Sequence, residues 1–322
     1  MPALLGPLLA LSGALAAELT IPVPPGVRAH PGNLPYAITD ARIAFAAQRC
    51  DPVCGPSTLI QYADGAATYS DFTSPIGGLE YSPDGSLLLV HSFEDPSEHE
   101  GTSRVGLVDT RGRLIWSRSE RRVFHFSTSG DVIYAWSAAW PNEGGNTVEI
   151  LDLRGGVVGR ATLGESLRSA IVLGSGEQAV LVTRRSIVWI DVARGTVVRR
   201  LSLGIHPDAL GAYALDAERF VVALQRSTAL VVNVRGDVDC VYAPPAAGSD
   251  PPIRAYRLHA EGAAALTVFD GTAEASTVDI GTGRSNPQAL DTSAPPGFAL
   301  VDLTRQGLLF ASPSAVLVRP TR

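Results

Sequence analysis

Lysine is absent: all 26 basic residues are arginine. No side chain is left to form a Schiff base or to act as the phosphate-gripping lysine of a P-loop. Charged residues make up only 18% of the chain, and the formal net charge is −6. Nucleic acid binding needs clustered basic residues, so this balance argues against it. The six histidines are scattered, and no H-E-x-x-H or G-x-S-x-G occurs. "GSGEQA" (174–179) is no dinucleotide fingerprint, because no strand–helix unit surrounds it. Beyond the N-terminal segment no apolar run approaches the ~20 residues that span a bilayer.

What is plentiful is apolar residue and turn residue. Hydrophobic side chains make up 45% of 322 residues, with Gly 32 and Pro 23. Such a chain buries a sizeable core and suits many strands joined by turns.

The N-terminus reads as a signal peptide over residues 1–17. Leu4–Leu15 is apolar, and Ala14-Leu15-Ala16 is an A-x-A cleavage signal ahead of Glu18. The segment carries no Lys or Arg beside the terminal amine, and a buried strand or helix is the competing reading. The expected mature protein, 18–322, is exported to a periplasm or to the medium. Cys50 and Cys54 in "CDPVCG" are expected to form a local disulfide in such a compartment. A metal site there is weakly supported, with no His or second Cys pair nearby. Cys240, in "VDCVYA", is expected to be an inert buried thiol.

A repeat organises the rest. "GLEYSPDGSLLLVHS" (78–92) is strand, tight turn, strand, with Pro83 and Gly85 where a turn wants fixed and positive φ. Degraded copies end at Arg42, Gly85, Gly130, Gly176, Arg219, Gly262 and Gly307, spaced 43 to 46 residues apart. A second hairpin follows, in which an apolar strand ends in Asp109, Asp152, Asp191, Asn233 or Asp279 before a glycine turn. Asp and Asn can bond the backbone N–H groups of their own turn.

This unit resembles a divergent WD-repeat-like β-propeller blade, although the WD dipeptide and the Gly-His signature are missing. The resemblance implies an all-β, seven-bladed β-propeller. The units fall near 35–72, 76–119, 122–163, 169–203, 212–243, 254–290 and 297–320. The last holds three strands, and an N-terminal strand, 18–23, completes it and removes exposed edges. Six or eight blades are the alternatives.

In such a fold, turns within the two hairpins share one face. The connections between second and third strands, and between units, share the other. The latter face is expected to carry long, irregular loops and to bind, because loops on a rigid scaffold carry function. Its candidates are the loop Gln48–Ser57, the acidic and histidine-bearing stretch "HSFEDPSEHEG", "AWPNEGGN", and "LGIHPDALG". Glu94, Asp95 and His99, with His91 beside them, could hold a divalent cation. Trp140 and Asn142 could stack on a sugar or anchor a partner. His206 adds a polar loop residue, near Asp208.

The expected function is an exported binding or scaffold module. Its partner would be a protein or a cell-envelope component, with no required cofactor. The alternative is a metal-assisted hydrolase or lyase at the mouth of a central channel, where Glu80, His125, Tyr213 and Arg254 of the innermost strands would stand.

Overall fold

The computed structural model describes residues 18–50, 54–93, 103–120, 122–127, 129–137, 147–165, 167–173, 178–204, 208–214, 218–224, 229–242, 265–269, 274–279, 285–289, 291–304 and 306–320. The signal-peptide reading of residues 1–17 therefore lies outside them. Within them no α-helix occurs; one 3-10 turn covers Pro31–Asn33.

The described residues open with β1 (Leu19–Pro22) and then lay down antiparallel sheets in sequence order. Sheet 1 is β2 (Tyr36–Ile38), β3 (Arg42–Cys50), β4 (Cys54–Ala63) and β5 (Ala66–Phe72). Sheet 2 is β6 (Ile76–Tyr81), β7 (Leu87–Phe93), β8 (Ser103–Asp109) and β9 (Leu114–Ser119). Sheet 3 is β10 (Arg122–Phe126), β11 (Val132–Ser137), β12 (Thr147–Asp152) and β13 (Val157–Thr162). Sheet 4 is β14 (Leu167–Leu173), β15 (Gln178–Thr183), β16 (Ser186–Asp191) and β17 (Thr196–Ser202). Sheet 5 is β18 (Ala209–Ala214), β19 (Arg219–Leu224), β20 (Ala229–Asn233) and β21 (Val238–Tyr242). Sheet 6 shows three described strands, β22 (Ala265–Phe269), β23 (Glu274–Asp279) and β24 (Ser285–Ala289). Sheet 7 is β25 (Ala299–Thr304), β26 (Gly307–Ser312) and β27 (Ala315–Arg319), with β1 as its fourth strand. β1 pairs with β27 from Leu19↔Val318 to Pro22↔Ala315.

Burial explains the composition of the strands. β15, β16 and β20 are buried along nearly their whole length, whereas β17 is exposed along most of its own. A middle strand covered on both faces must be apolar at successive positions, which is why "AVLV", "IVWI" and "ALVV" do not alternate. Five of the cores formed by the described residues lie between two sheets. Leu88 and Val90 pack against Ala44 and Leu59, and Leu89 and Leu107 against Phe124 and Ile133. Val148 and Ile150 meet Leu181 and Val188; Ile187 and Trp189 meet Phe220 and Val222. Ile21, Leu309 and Val318 pack on Ile43 and Phe45, joining sheet 7 to sheet 1.

The turns work as their residues suggest. Asp109 Oδ1 accepts from the backbone N–H of Arg111 and of Arg113, both at 2.9 Å. Asp152 does the same for Arg154 and Gly156, and Asn233 for Arg235 and Asp237. A glycine three residues on takes positive φ in each, at Gly112, Gly155 and Gly236, and the turn after Asp191 places one four residues on. This is Gly195, at +64°, where a Cβ would overlap the Arg160 carbonyl of sheet 3. In the first hairpins a hydroxyl takes over: Ser82 Oγ accepts from Leu87 N–H, and Ser127 Oγ from Gly130 N–H.

Register slips between β8 and β9, β12 and β13, β16 and β17, and β20 and β21. These bulges twist the outermost strand and blunt an open edge. They also turn apolar pairs to solvent: Leu114 and Ile115, Val157 and Val158, Val197 and Val198 are 41–53% exposed.

Candidate functional site

Among the described residues, the connection between second and third strands is short in two sheets. In sheet 4 the connection is only Arg184 and Arg185, and in sheet 7 Pro313 and Ser314. The expected loop Gln48–Ser57 is largely strand. β3 runs to Cys50, β4 starts at Cys54, and Gln48 pairs with Ser57. The polar residues that suggested a loop are used in pairing. Gln48 exchanges backbone hydrogen bonds with Arg28, and Ser57 Oγ accepts from Ile76 N–H. Cys50 and Cys54 are cross-strand partners in this hairpin.

Glu94, Asp95, His99, Trp140, Asn142 and His206 lie outside the described residues. His91, grouped with Glu94, Asp95 and His99, is a β7 residue, as the strand–turn–strand reading of 78–92 has it. It sits opposite Gly78, its ring edge-on to Phe124 at 6.5 Å. Among the described residues no group of three or more His, Cys, Asp or Glu could hold a metal ion. None of their helices is long and apolar enough to cross a membrane.

The rim on the side of these connections carries charged clusters, of whose members only Asp208 was named from the sequence. Glu149 lies in "TVEILD", a buried strand, and a charge there needs partners. Arg122 Nη1 donates to its Oε2, and Arg160 Nε donates to its Oε1 at 2.9 Å. Burial would raise the Glu149 pKa, but these guanidiniums outweigh it and hold the carboxyl below its ordinary value. Arg118 and Glu120 extend the cluster across sheets 2 and 3.

Further round, Asp208 receives Arg184 Nε at 2.5 Å and Arg185 Nε at 3.2 Å. The Arg184 hydrogen bond comes first among the causes that lower the Asp208 pKa. Glu165 accepts from Arg200 Nη1 at 2.5 Å, and Arg200 Nη2 donates to the Leu163 carbonyl. In each cluster the carboxylate lies beneath and a guanidinium outside. Glu149 is 8% exposed against 66% for Arg160; Asp208 is 13% against 45% and 74% for its two arginines. The doublet Arg184-Arg185, close to an isolated acid in space but 23 residues away in sequence, was the available signal.

The innermost strands hold a second polar group. Glu80 and His125, both named from the sequence, are brought together. His125 Nδ1 lies 2.6 Å from Glu80 Oε2, and Glu80 Oε1 accepts from Phe126 N–H at 3.1 Å. The second bond satisfies a backbone donor on the inner edge of sheet 3. The imidazole stacks on Trp136, with ring centres 5.1 Å apart. Trp136 is a core residue, as its place in an alternating strand suggests. Tyr36 donates to Asp302 at 2.7 Å, linking sheets 1 and 7. A cleft of about 230 Å³ opens between β2 and β6, lined in part by Thr39, Glu80, Tyr81 and Pro83. The Tyr213 side chain and Arg254 lie outside the described residues.

No protein-family model and no curated protein sequence matches the chain. Among solved structures it is similar to the crystal structure of the WD40 β-propeller domain of Doa1. The match has a TM-score of 0.57 and 14% identity, covering 94% of this chain and 98% of that one. The chain has a β-propeller fold. At this identity the likeness fixes architecture alone. It places the chain in the broad, divergent propeller class and in no specific family.

Proposed function

We propose that the seven sheets are the blades of one propeller ring closed by β1, and that the chain is an exported binding or scaffold module working through its loop-side rim. The shared cores between consecutive sheets from 1 to 5, and between sheet 7 and sheet 1, support the ring. The apolar run Leu4–Leu15 and the A-x-A signal support export. Cys50 and Cys54 then join as a disulfide, a reading supported by their cross-strand pairing.

One observation carries the binding reading. On the loop-side rim, charged side chains are fixed in place by ion pairs, and those of Arg118 with Glu149 and of Arg184 and Arg185 with Asp208 also tie neighbouring sheets together. A rim fixed before it meets a partner loses little side-chain entropy on binding. The partner is a protein or a cell-envelope component, and binding needs no cofactor.

Native mass spectrometry of the protein from its own host tests this, together with charge reversal at Arg184 and Arg185. A co-purifying partner that the reversal releases, and that reversal at the hairpin-turn residues Arg111 and Arg154 does not, is the expected result. A stoichiometric divalent ion or small molecule with no partner overturns it. That outcome favours hydrolysis or elimination at the channel mouth, a reading supported by the Glu80–His125 contact.

A further inference from the structure

The turn between β15 and β16 is two residues long, and both are arginines. Its backbone is tied down on both sides. Ala209 N–H donates to the Arg184 carbonyl at 2.9 Å, and Leu203 N–H to the Arg185 carbonyl at 2.8 Å. Thr183 Oγ1 and Ser186 bond each other across its base. Both side chains are then gripped by one carboxylate, Asp208, and each offers it Nε.

That detail decides what is left over. Among the described residues neither guanidinium has another partner for its two terminal nitrogens. Each still presents donors on Nη1 and Nη2, and these groups are 45% and 74% exposed. Arg200, by contrast, spends both terminal nitrogens on Glu165 and the Leu163 carbonyl. Two side chains with free donors, anchored side by side on a rigid turn, match the oxygens of carboxylate groups.

We propose that Arg184 and Arg185, positioned by Asp208, form a binding site for an acidic peptide segment presenting neighbouring Asp or Glu side chains. This rests on the loop-side binding reading and names the chemistry of its partner. The whole-chain charge selects among anions. At −6 the molecule is repelled by an extended anionic bilayer, whereas a short acidic segment meets mainly the local charge. There Arg184, Arg185 and Arg200 are set against Asp208 and Glu165, and Glu165 Oε2 accepts from the Arg185 backbone N–H at 3.3 Å, so guanidinium is locally in surplus by one. Asp208 is a positioning residue: it fixes which donors face outward.

The test is fluorescence anisotropy of a labelled Asp/Glu-rich peptide with the mature chain at low salt. Inorganic phosphate and phosphatidylglycerol vesicles run as separate arms. Arg184→Ala with Arg185→Ala is expected to weaken peptide binding roughly tenfold or more. Arg111→Ala with Arg154→Ala, on the other rim, leaves it unchanged. Asp208→Asn is the discriminating variant. It makes the site more positive, so plain charge attraction predicts tighter binding; loss of positioning predicts several-fold weaker binding. Tighter binding by Asp208→Asn, equal loss in the other-rim control, or vesicles binding better than the peptide each overturns the proposal. Absent peptide binding also overturns it, yet leaves the loop-side reading intact if the host partner is still released by charge reversal.

Discussion

The imidazole of His125 and the carboxylate of Glu80 meet across two sheets, with Nδ1 and Oε2 2.6 Å apart. The carboxylate Oε2 makes no aligned hydrogen bond, so the contact is chiefly one of charge. Burial pulls the His125 pKa down, but the Glu80 charge and contact outweigh it and leave it above the ordinary histidine value of 6.5. A raised folded pKa stabilises the protein most below the unfolded value, and that contribution is lost as pH rises through the folded one. Unfolding midpoints of the parent and Glu80→Gln should therefore lie furthest apart below pH 6.5 and converge above the His125 titration. A separation that grows with pH contradicts this.

His91 works in the opposite direction. Burial, with the neighbouring His125 charge adding to it, lowers its pKa to about 4, although Glu80 and the Phe124 backbone oppose the shift. The folded protein keeps His91 neutral while the unfolded chain takes up a proton. Stability should fall as pH drops from 6.5 toward 4. His91→Gln should flatten that part of the curve in thermal melts recorded across the range. An unchanged slope assigns the acid sensitivity elsewhere.

The Asp turns can be tested against each other. Asp109→Ala strands two backbone donors and should cost about 1–2 kcal/mol in urea unfolding. Asp109→Asn should recover most of the loss, because Asn233 already holds two donors in the corresponding turn of sheet 5.

β1 contributes Ile21, which is fully buried between sheets 7 and 1. Ile21→Ala leaves a cavity there and should cost about 2–5 kcal/mol. If β1 were a loosely attached tail, chemical denaturation would show almost no change.

For Cys50 and Cys54 the expected result is an intact mass lower by two hydrogens without reductant. Closing so short a loop adds about 2 kcal/mol in the chain-entropy account. A full complement of free thiols in the exported protein removes the disulfide from the reading.

Much of the architecture was legible because it is local and repeated. Asp109, Asp152 and Asn233 mark their turns through bonds to residues two and four positions on. Continuous apolar runs such as "IVWI" mark strands covered on both faces. The loop reading of Gln48–Ser57 failed because a polar composition describes an exposed hairpin as well as a loop. The choice lay in Arg28 and Ile76, which lie elsewhere along the chain.

The chain alone therefore determined the period, the turn chemistry and which strands are interior, since each depends on neighbours a few residues apart. Tertiary structure alone decided that Glu80 reaches His125 and that Asp208 takes the Nε of both Arg184 and Arg185. Those partners are 45, 24 and 23 residues apart. Their pairing depends on how one sheet is set against the next, which no local pattern specifies.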